Sequence, residues 1–77
     1  MSTQQNHSAL PQEIEMIKAE GNALFGKGEY SKAIEKYDAA IEKVTDNAIL
    51  FANRAACYIG LRKYIYFRFM QFLFHWN

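Results

Sequence analysis

Hydrophobic positions recur along this 77-residue chain every three to four residues, in three successive stripes. The first stripe consists of Ile14, Ile17, Gly21, Leu24 and Phe25. The second consists of Ala33, Ile34, Tyr37, Ala40, Ile41 and Val44, and the third of Phe51, Ala55, Tyr58 and Ile59. Residues at this spacing lie on one face of a helix, with polar residues on the other. The pattern therefore predicts three amphipathic helices.

Short glycine-rich or polar stretches separate the stripes. "GKGEY" (26–30), "VTDN" (44–47) and "GLRKY" (60–64) are typical of turns, and Thr45 or Asp46 is available as a helix N-cap. We expect residues 1–10 to form a mobile polar tail. The fold class is all-α, an antiparallel helix–turn–helix array of three to four helices. They are predicted near 11–27, 30–44, 47–61 and, for the fourth, 63–75.

The first and third breaks are part of an internal repeat of 34 residues. Gly26 and Gly60 are 34 residues apart, and so are Tyr30 and Tyr64. The small residues Gly21 and Ala55 and the large residues Ile17 and Phe51 match in the same register. A period of this length with helix–turn–helix character is typical of a repeat array.

The segment "KAEGNALFGKGEYSKAIEKYDAAI" resembles a first tetratricopeptide repeat, and "AILFANRAACYIGLRKY" resembles the first helix of a second. The resemblance covers about residues 14–64, with a first repeat over about 14–47 and an incomplete second one from 48. Thr45 departs from the proline usual there. The resemblance implies packing roles for Gly21, Leu24, Tyr30, Ala33, Tyr37, Ala40, Ala55 and Tyr58. Gly21 would let the partner helix approach closely, against its small residues Ala33 and Ala40.

Three polar residues beside the stripes resemble the carboxylate clamp of one tetratricopeptide subset. They are Lys18 and Asn22, four residues apart on one helix face, and Asn53 in "NRAA". The resemblance implies that they bind the C-terminal Glu-Glu-Val-Asp peptides of cytosolic heat-shock chaperones. An ammonium group and two amides are suitable donors for a terminal carboxylate. A full clamp also uses two cations of a third repeat, which would start beyond Asn77, so we expect weak binding.

Residues 65–77 form an aromatic-rich segment that departs from the repeat pattern. Six of its 13 residues are Phe, Tyr or Trp, and Phe67 occupies the position that matches the small Ala33. We expect this aromatic residue to prevent close helix approach. The segment is interpreted as foreign sequence joined to a truncated repeat, predicted to be helical. Ile65, Phe69, Phe72, Leu73 and Trp76 would share one face, with Arg68, Gln71 and His75 opposite.

Composition and charge exclude several functions. The net charge of +1 gives no reason to expect nucleic acid binding. The single cysteine, Cys57, is interpreted as a packing residue, and no pattern indicates catalysis, a metal site or a cofactor. The polar N-terminus is not that of a secretory signal, so we expect a cytoplasmic location. Arg62, Lys63 and Arg68 interrupt any span-length apolar window, so a membrane partner is not expected.

The sequence thus predicts a non-enzymatic protein–protein interaction module that resembles a chaperone-tail binding domain with an incomplete clamp. Two alternatives stay open. The chain could be a truncated repeat remnant without its own ligand, or it could associate peripherally with membranes through its aromatic segment. That charge-poor segment could also promote self-association or aggregation.

Overall fold

The computed structural model describes residues 11–74, and these form three helices connected by short turns. The helices are α1 (Pro11–Gly26), α2 (Tyr30–Lys43) and α3 (Ala48–Phe74). The all-α helix–turn–helix array predicted from the sequence is confirmed. The tail predicted over residues 1–10 lies outside the described residues, as do His75 and Trp76.

The turn between α1 and α2 is built around Gly28. Its φ of 79° lies in the left-handed region, which glycine adopts without steric cost. The amide of Glu29 donates to the carbonyl oxygen of Leu24 at 2.9 Å, and the amide of Gly28 donates to that of Phe25 at 2.9 Å. This pair of hydrogen bonds is the Schellman arrangement, which satisfies the last carbonyl groups of α1. It reverses the chain so that α2 packs antiparallel to α1.

The turn between α2 and α3 ends in a side-chain cap. The Asn47 side-chain oxygen accepts hydrogen bonds from the amides of Ile49 at 3.0 Å and Leu50 at 3.2 Å. This asparagine therefore satisfies free N–H groups of the first turn of α3. The cap is Asn47 rather than Thr45 or Asp46, which corrects the sequence-based prediction.

The core lies between α2 and the helices on either side of it. Its buried side chains are Ile14 from α1, Leu50 and Cys57 from α3, and a set from α2 consisting of Ala33, Ile34, Tyr37 and Ala40. Ile17, Leu24, Tyr30, Ile41 and Val44 are partly buried against this core. The first two stripes read from the sequence thus supply the core from α1 and α2. The third stripe is wrong, because Phe51, Tyr58 and Ile59 are exposed and α3 turns Leu50 and Cys57 towards the core instead.

The third predicted break is wrong, because α3 runs as one helix of 27 residues through Gly60–Tyr64. The 34-residue period explains this, since Arg62 occupies the position that corresponds to Gly28. A residue other than glycine adopts a left-handed conformation only at a cost, and an isolated glycine such as Gly60 weakens a helix by about 1 kcal/mol without ending it. The chain therefore lacks the residue that makes the turn in the first repeat.

The continuation of α3 also corrects the prediction of a separate fourth helix near 63–75. The segment is helical as far as Phe74, but it extends α3 and does not fold back on it. Phe67 is 57% exposed, so the expected clash with a neighbouring helix does not arise.

Candidate functional site

The polar cluster on the α1 side of the molecule begins with Lys18 and Asn22. The two residues are one helical turn apart on α1, which places their Cβ atoms about 5–6 Å from each other. The Lys18 Nζ atom lies 3.1 Å from an Oε atom of Glu15, at i,i+3 spacing. Lys18 is half-buried, whereas Glu15 is largely exposed. The ammonium group is therefore at the surface and has an acidic neighbour of its own.

Asn22 is the centre of the cluster, because it connects all three helices. Its Oδ1 atom accepts a hydrogen bond from the hydroxyl of Tyr37 on α2. The same oxygen accepts a second hydrogen bond, at 3.3 Å, from Nδ2 of Asn53 on α3. An amide oxygen has two lone pairs, so the acceptor capacity of Asn22 is used within the protein. Its Nδ2 group has no partner among residues 11–74 and faces away from these contacts.

Asn53 and Asn22 are therefore brought together, as the sequence-based prediction requires, and Lys18 lies one turn from them. The site prediction did not include Tyr37 as a polar member, because its position in the second apolar stripe assigned it to packing. Tyr37 does both: its ring is buried and its hydroxyl reaches the cluster. The signal available in the sequence was a tyrosine, rather than a phenylalanine, at a core position.

The ring of Tyr37 packs directly against the backbone of Gly21. A Cβ atom at Gly21 would lie 2.7 Å from Cε1 of Tyr37. The predicted close approach at Gly21 is thus present, but the group that fills the space is an aromatic ring and not the small surface of Ala33 and Ala40. Gly21 has a second consequence for the site. Because it leaves space for the ring, the hydroxyl of Tyr37 can reach Asn22, the next residue of α1.

Arg54, the second residue of the "NRAA" segment, is engaged within the protein. Its Nη1 atom is 2.7 Å from Oδ1 of Asp38 on α2, and its guanidinium carbon is 5.3 Å from the centroid of the Phe51 ring. The ion pair with Asp38 joins α3 to α2 at the height of Asn53, whereas the contact with Phe51 lies within α3. Arg54 therefore positions the helix that carries Asn53 and does not add a free cation to the cluster.

The predicted packing residues of α1 and α2 lie in or against the core, whereas those of α3 do not. Gly21, Ala33, Tyr37 and Ala40 are buried, and Leu24 and Tyr30 are partly buried against the core. Ala55 and Tyr58 are exposed, which contradicts the packing roles predicted for them. They lie on the face of α3 that a following antiparallel helix would cover, and α3 continues straight at this point.

Neither a reactive thiol nor a metal site is found in the part of the chain that the structure describes. Cys57 is buried, and burial raises the pKa of its thiol, which disfavours the nucleophilic thiolate. Residues 11–74 contain no cluster of three or more His, Cys, Asp or Glu side chains that could hold a metal ion. None of the three described helices combines the length and apolarity that crossing a bilayer requires.

The stability of the protein is expected to decrease in alkaline solution. Burial, and to a lesser extent the nearby Cys57, raise the pKa of Tyr37 above its ordinary value of 10.0, while a hydrogen bond from Asn53 lowers it. Burial raises the pKa of Cys57 above 9.0. Because the unfolded chain releases these protons first, the free energy of unfolding should be constant below about pH 8.5 and fall as the pH rises through 9 and then 10. Urea unfolding at several pH values measures this.

Two tyrosine variants separate the contribution of Tyr37. Tyr37→Phe removes the buried hydroxyl, so it should show a smaller decrease in stability between about pH 9.5 and pH 11. Tyr58→Phe removes an exposed hydroxyl from the next helix and is the matched control. Its stability should decrease over this pH range as much as that of the parent protein. Equal decreases in Tyr37→Phe and the parent would contradict this assignment.

The fold and the cluster together define a class of protein. A short glycine turn reverses α1 onto α2, a capped turn starts α3, and polar side chains from the first and third helices meet beside the core. These are the features of a helical-repeat module that presents a groove formed by the first helix of each repeat.

Comparison with known proteins agrees with this class. The family model described as TPR repeat matches residues 21–61, which is more than half of the chain. The chain therefore belongs to the tetratricopeptide repeat family.

Individual relatives share about half of the matched residues or slightly fewer. Heat shock protein STI1 of Saccharomyces cerevisiae is 48% identical over 48 residues, which are 61% of this chain and 8% of that protein. Protein unc-45 homolog B of Xenopus laevis is 42% identical over 52 residues, 64% of this chain and 6% of the relative. Stress-induced-phosphoprotein 1 of Caenorhabditis elegans is 39% identical over 54 residues, 70% of this chain and 17% of the relative. The chain thus spans less than a fifth of each of these relatives. No solved structure matches the chain significantly.

Proposed function

We propose that this protein binds the C-terminal carboxylate of acidic peptides at Lys18, Asn22 and Asn53. As a member of the tetratricopeptide repeat family, it is a protein–protein interaction module. The relatives named as heat-shock and stress-induced proteins suggest cytosolic heat-shock chaperones, whose tails end in Glu-Glu-Val-Asp, as the source of the peptide. The proposal includes a cytoplasmic location for the chain.

The observation that carries the proposal is the orientation of the Asn22 amide. Tyr37 and Asn53 occupy its oxygen, so its NH2 group is directed outwards, on the helix face that carries Lys18 one turn earlier. A preorganised donor loses little side-chain entropy on binding. Asn53 directs its NH2 group at the Asn22 oxygen and also bonds the Tyr37 hydroxyl, so a ligand would share its donors with these two residues. The three residues can therefore donate several hydrogen bonds to the terminal carboxylate and the neighbouring aspartate side chain.

The charge of the cluster limits the affinity. Lys18 is its one cation, and a carboxylate ligand has to compete with Glu15 for the ammonium group. Arg54 is occupied by Asp38. Hydrogen bonds to charged groups contribute about 1.5–3 kcal/mol each, and association itself is costly, so we expect a Kd of about 0.1–1 mM.

Titration of the isotope-labelled protein with a Glu-Glu-Val-Asp peptide, followed by NMR, tests the proposal. Amide resonances around residues 18, 22 and 53 should shift with a saturable curve. Lys18→Ala and Asn53→Ala should each weaken binding about tenfold or more, because each removes a donor to a charged group. Lys27→Ala, which removes an exposed lysine in the turn after α1, is the matched control and should bind as the parent does.

Two further measurements distinguish specific capture from general attraction to acidic peptides. The same peptide with an amidated C-terminus should bind much more weakly, because the terminal carboxylate is lost. Glu15→Gln should tighten binding severalfold, since it frees Lys18 from its intramolecular partner. Equal binding of the free and amidated peptides would contradict the proposal. The absence of binding at about 10 mM peptide would also contradict it and would leave a repeat remnant without this ligand.

A further inference from the structure

The side of α3 that faces away from the α1–α2 hairpin is exposed along most of its length. Leu50 and Cys57 are buried on the hairpin side, and Gly60 on that side packs under the ring of Tyr30. About a third of a turn from Leu50, large apolar residues recur at helical spacing over six turns. We call this set the outer face, and each of its members is at least 40% exposed: Phe51, Tyr58, Ile59, Ile65, Tyr66, Phe69, Phe72 and Leu73.

The charges of the chain are segregated between the hairpin and α3. Residues 11–46 carry five lysines against eight acidic residues, whereas residues 47–74 carry four basic residues and no acidic ones. Arg54 is paired with Asp38, but Arg62, Lys63 and Arg68 form no ion pair within the described residues. Arg62 lies near the middle of the outer face, and helical geometry places Lys63 and Arg68 on its two borders. The outer face is therefore apolar, aromatic and positively charged.

A second copy of the chain is a poor occupant of this face. The outer face extends from residue 51 to residue 73, so an antiparallel α3–α3 pair that buries all of it places Arg62 beside its own copy. Two like charges would be desolvated together, and α3 has no carboxylate to compensate them. Neutralising Arg62 requires an anionic partner that is also apolar.

We propose that α3 lies in the headgroup region of anionic lipid bilayers, with the outer face towards the acyl chains. Aromatic and aliphatic side chains would enter the boundary between headgroups and acyl chains, while Arg62, Lys63 and Arg68 extend to lipid phosphates. The acidic hairpin would be on the side away from the membrane, which avoids repulsion from the anionic surface. This is association with the surface of a bilayer and not insertion across it.

The inference goes beyond the proposed peptide binding and does not depend on it. Asn53 lies on the hairpin side of α3, where it contacts Asn22. Docking of the outer face therefore leaves the amide cluster uncovered. The two proposals can fail separately, because their residues lie on different sides of the same helix.

Flotation of the full chain with lipid vesicles tests the proposal, after aggregates have been removed by centrifugation. Vesicles of phosphatidylcholine with about 30% phosphatidylserine should carry the protein upwards in a density gradient. Binding to pure phosphatidylcholine vesicles should be on the order of a hundredfold weaker, because three cations lose their anionic partners. High salt should weaken binding to the anionic vesicles for the same reason.

A matched pair of substitutions identifies the face that binds. Phe72→Glu changes an outer-face residue that is 75% exposed, and Met16→Glu makes the same change in charge at an α1 residue that is 64% exposed. Phe72→Glu should reduce vesicle binding at least tenfold, whereas Met16→Glu should retain it. Far-UV circular dichroism checks that both variants keep the helical content of the parent.

Two results would overturn the proposal. One is a failure of the flotation test, which means either no flotation with anionic vesicles or the same flotation for Phe72→Glu as for the parent. The other is a dimer, detected by light scattering, that Phe72→Glu dissociates while no vesicle binding occurs. The second result would assign the outer face to another copy of the chain.

Discussion

Replacing Leu50 by alanine is expected to unfold most of the protein. Leu50 has no solvent-exposed surface and lies in the first turn of α3, next to the Asn47 cap. Truncation of a buried leucine leaves a cavity and destabilises a protein by about 2–5 kcal/mol. A single core of this size provides about 3–5 kcal/mol in total, so the loss is comparable with the whole stability. Urea unfolding followed by circular dichroism at 222 nm measures it.

The adjacent residue provides the control for this prediction. Ile49 is 58% exposed, and Ile49→Ala removes an apolar side chain from the same helical turn without forming a cavity. We expect a change of less than about 0.5 kcal/mol in the free energy of unfolding. Equal losses in Leu50→Ala and Ile49→Ala would contradict the position of α3 against the hairpin.

Adding one methyl group at Gly21 is expected to destabilise the protein and disturb the amide cluster together. The new Cβ atom would lie 2.7 Å from Cε1 and 2.9 Å from Cζ of the buried Tyr37 ring. Overpacking costs about 1–3 kcal/mol, partly offset by the gain of about 1 kcal/mol in helix propensity. Because a Cβ contact of 2.7 Å with a buried ring calls for the upper part of that overpacking range, we expect Gly21→Ala to lose about 1–2 kcal/mol and Gly21→Val to lose more. The displaced ring should also break the Tyr37–Asn22 hydrogen bond.

Gly26→Ala is the matched control, because it makes the same change at the end of the same helix. A Cβ atom at Gly26 meets no heavy atom within 4 Å. The free energy of unfolding of Gly26→Ala should therefore stay within about 0.5 kcal/mol of that of the parent or rise slightly. Urea unfolding of both variants measures the difference. A Gly21→Ala protein as stable as Gly26→Ala would refute the close packing of α1 against Tyr37.

The hairpin was predictable from the sequence because its determinants are local. The spacing of apolar residues defines the helices, and the second glycine of "GKGEY" permits the left-handed turn at Gly28. The sequence also placed Asn22 and Asn53 on corresponding flanks of the first and third stripes, and their hydrogen bond makes them neighbours. Such patterns act within a few residues, or repeat at a fixed distance, and can therefore be read along the chain.

The third predicted break is wrong because Gly26 and Gly60 match without being turn residues, and Arg62 stands where the first repeat has Gly28. Gly26 belongs to α1, and Gly28 makes the turn. Gly60 has a different role within α3, where a Cβ atom would lie 2.6 Å from Cε1 of Tyr30. The sequence contained the difference between Gly28 and Arg62, but the geometry of the first turn was needed to recognise it.

The double role of Tyr37 could not be read from the chain. A tyrosine in an apolar stripe predicts burial, but the partner of its hydroxyl depends on how α1, α2 and α3 are placed in space. In the structure this hydroxyl and Asn53 together occupy the oxygen of Asn22. Likewise, only the path of α3 leaves Ala55 and Tyr58 exposed.

The sequence by itself determined the helices α1 and α2, their antiparallel turn and the core residues that these two helices supply, since periodicity and glycine conformation act locally. Only the tertiary structure decided that α3 continues to Phe74, that an aromatic ring fills the space at Gly21, and that the Asn22 amide is oriented by two other helices. The physical reason is that these features depend on contacts between residues far apart in the chain. The spacing of residues in the sequence shows which face of a helix a side chain occupies, but not how far it lies from a residue on another helix.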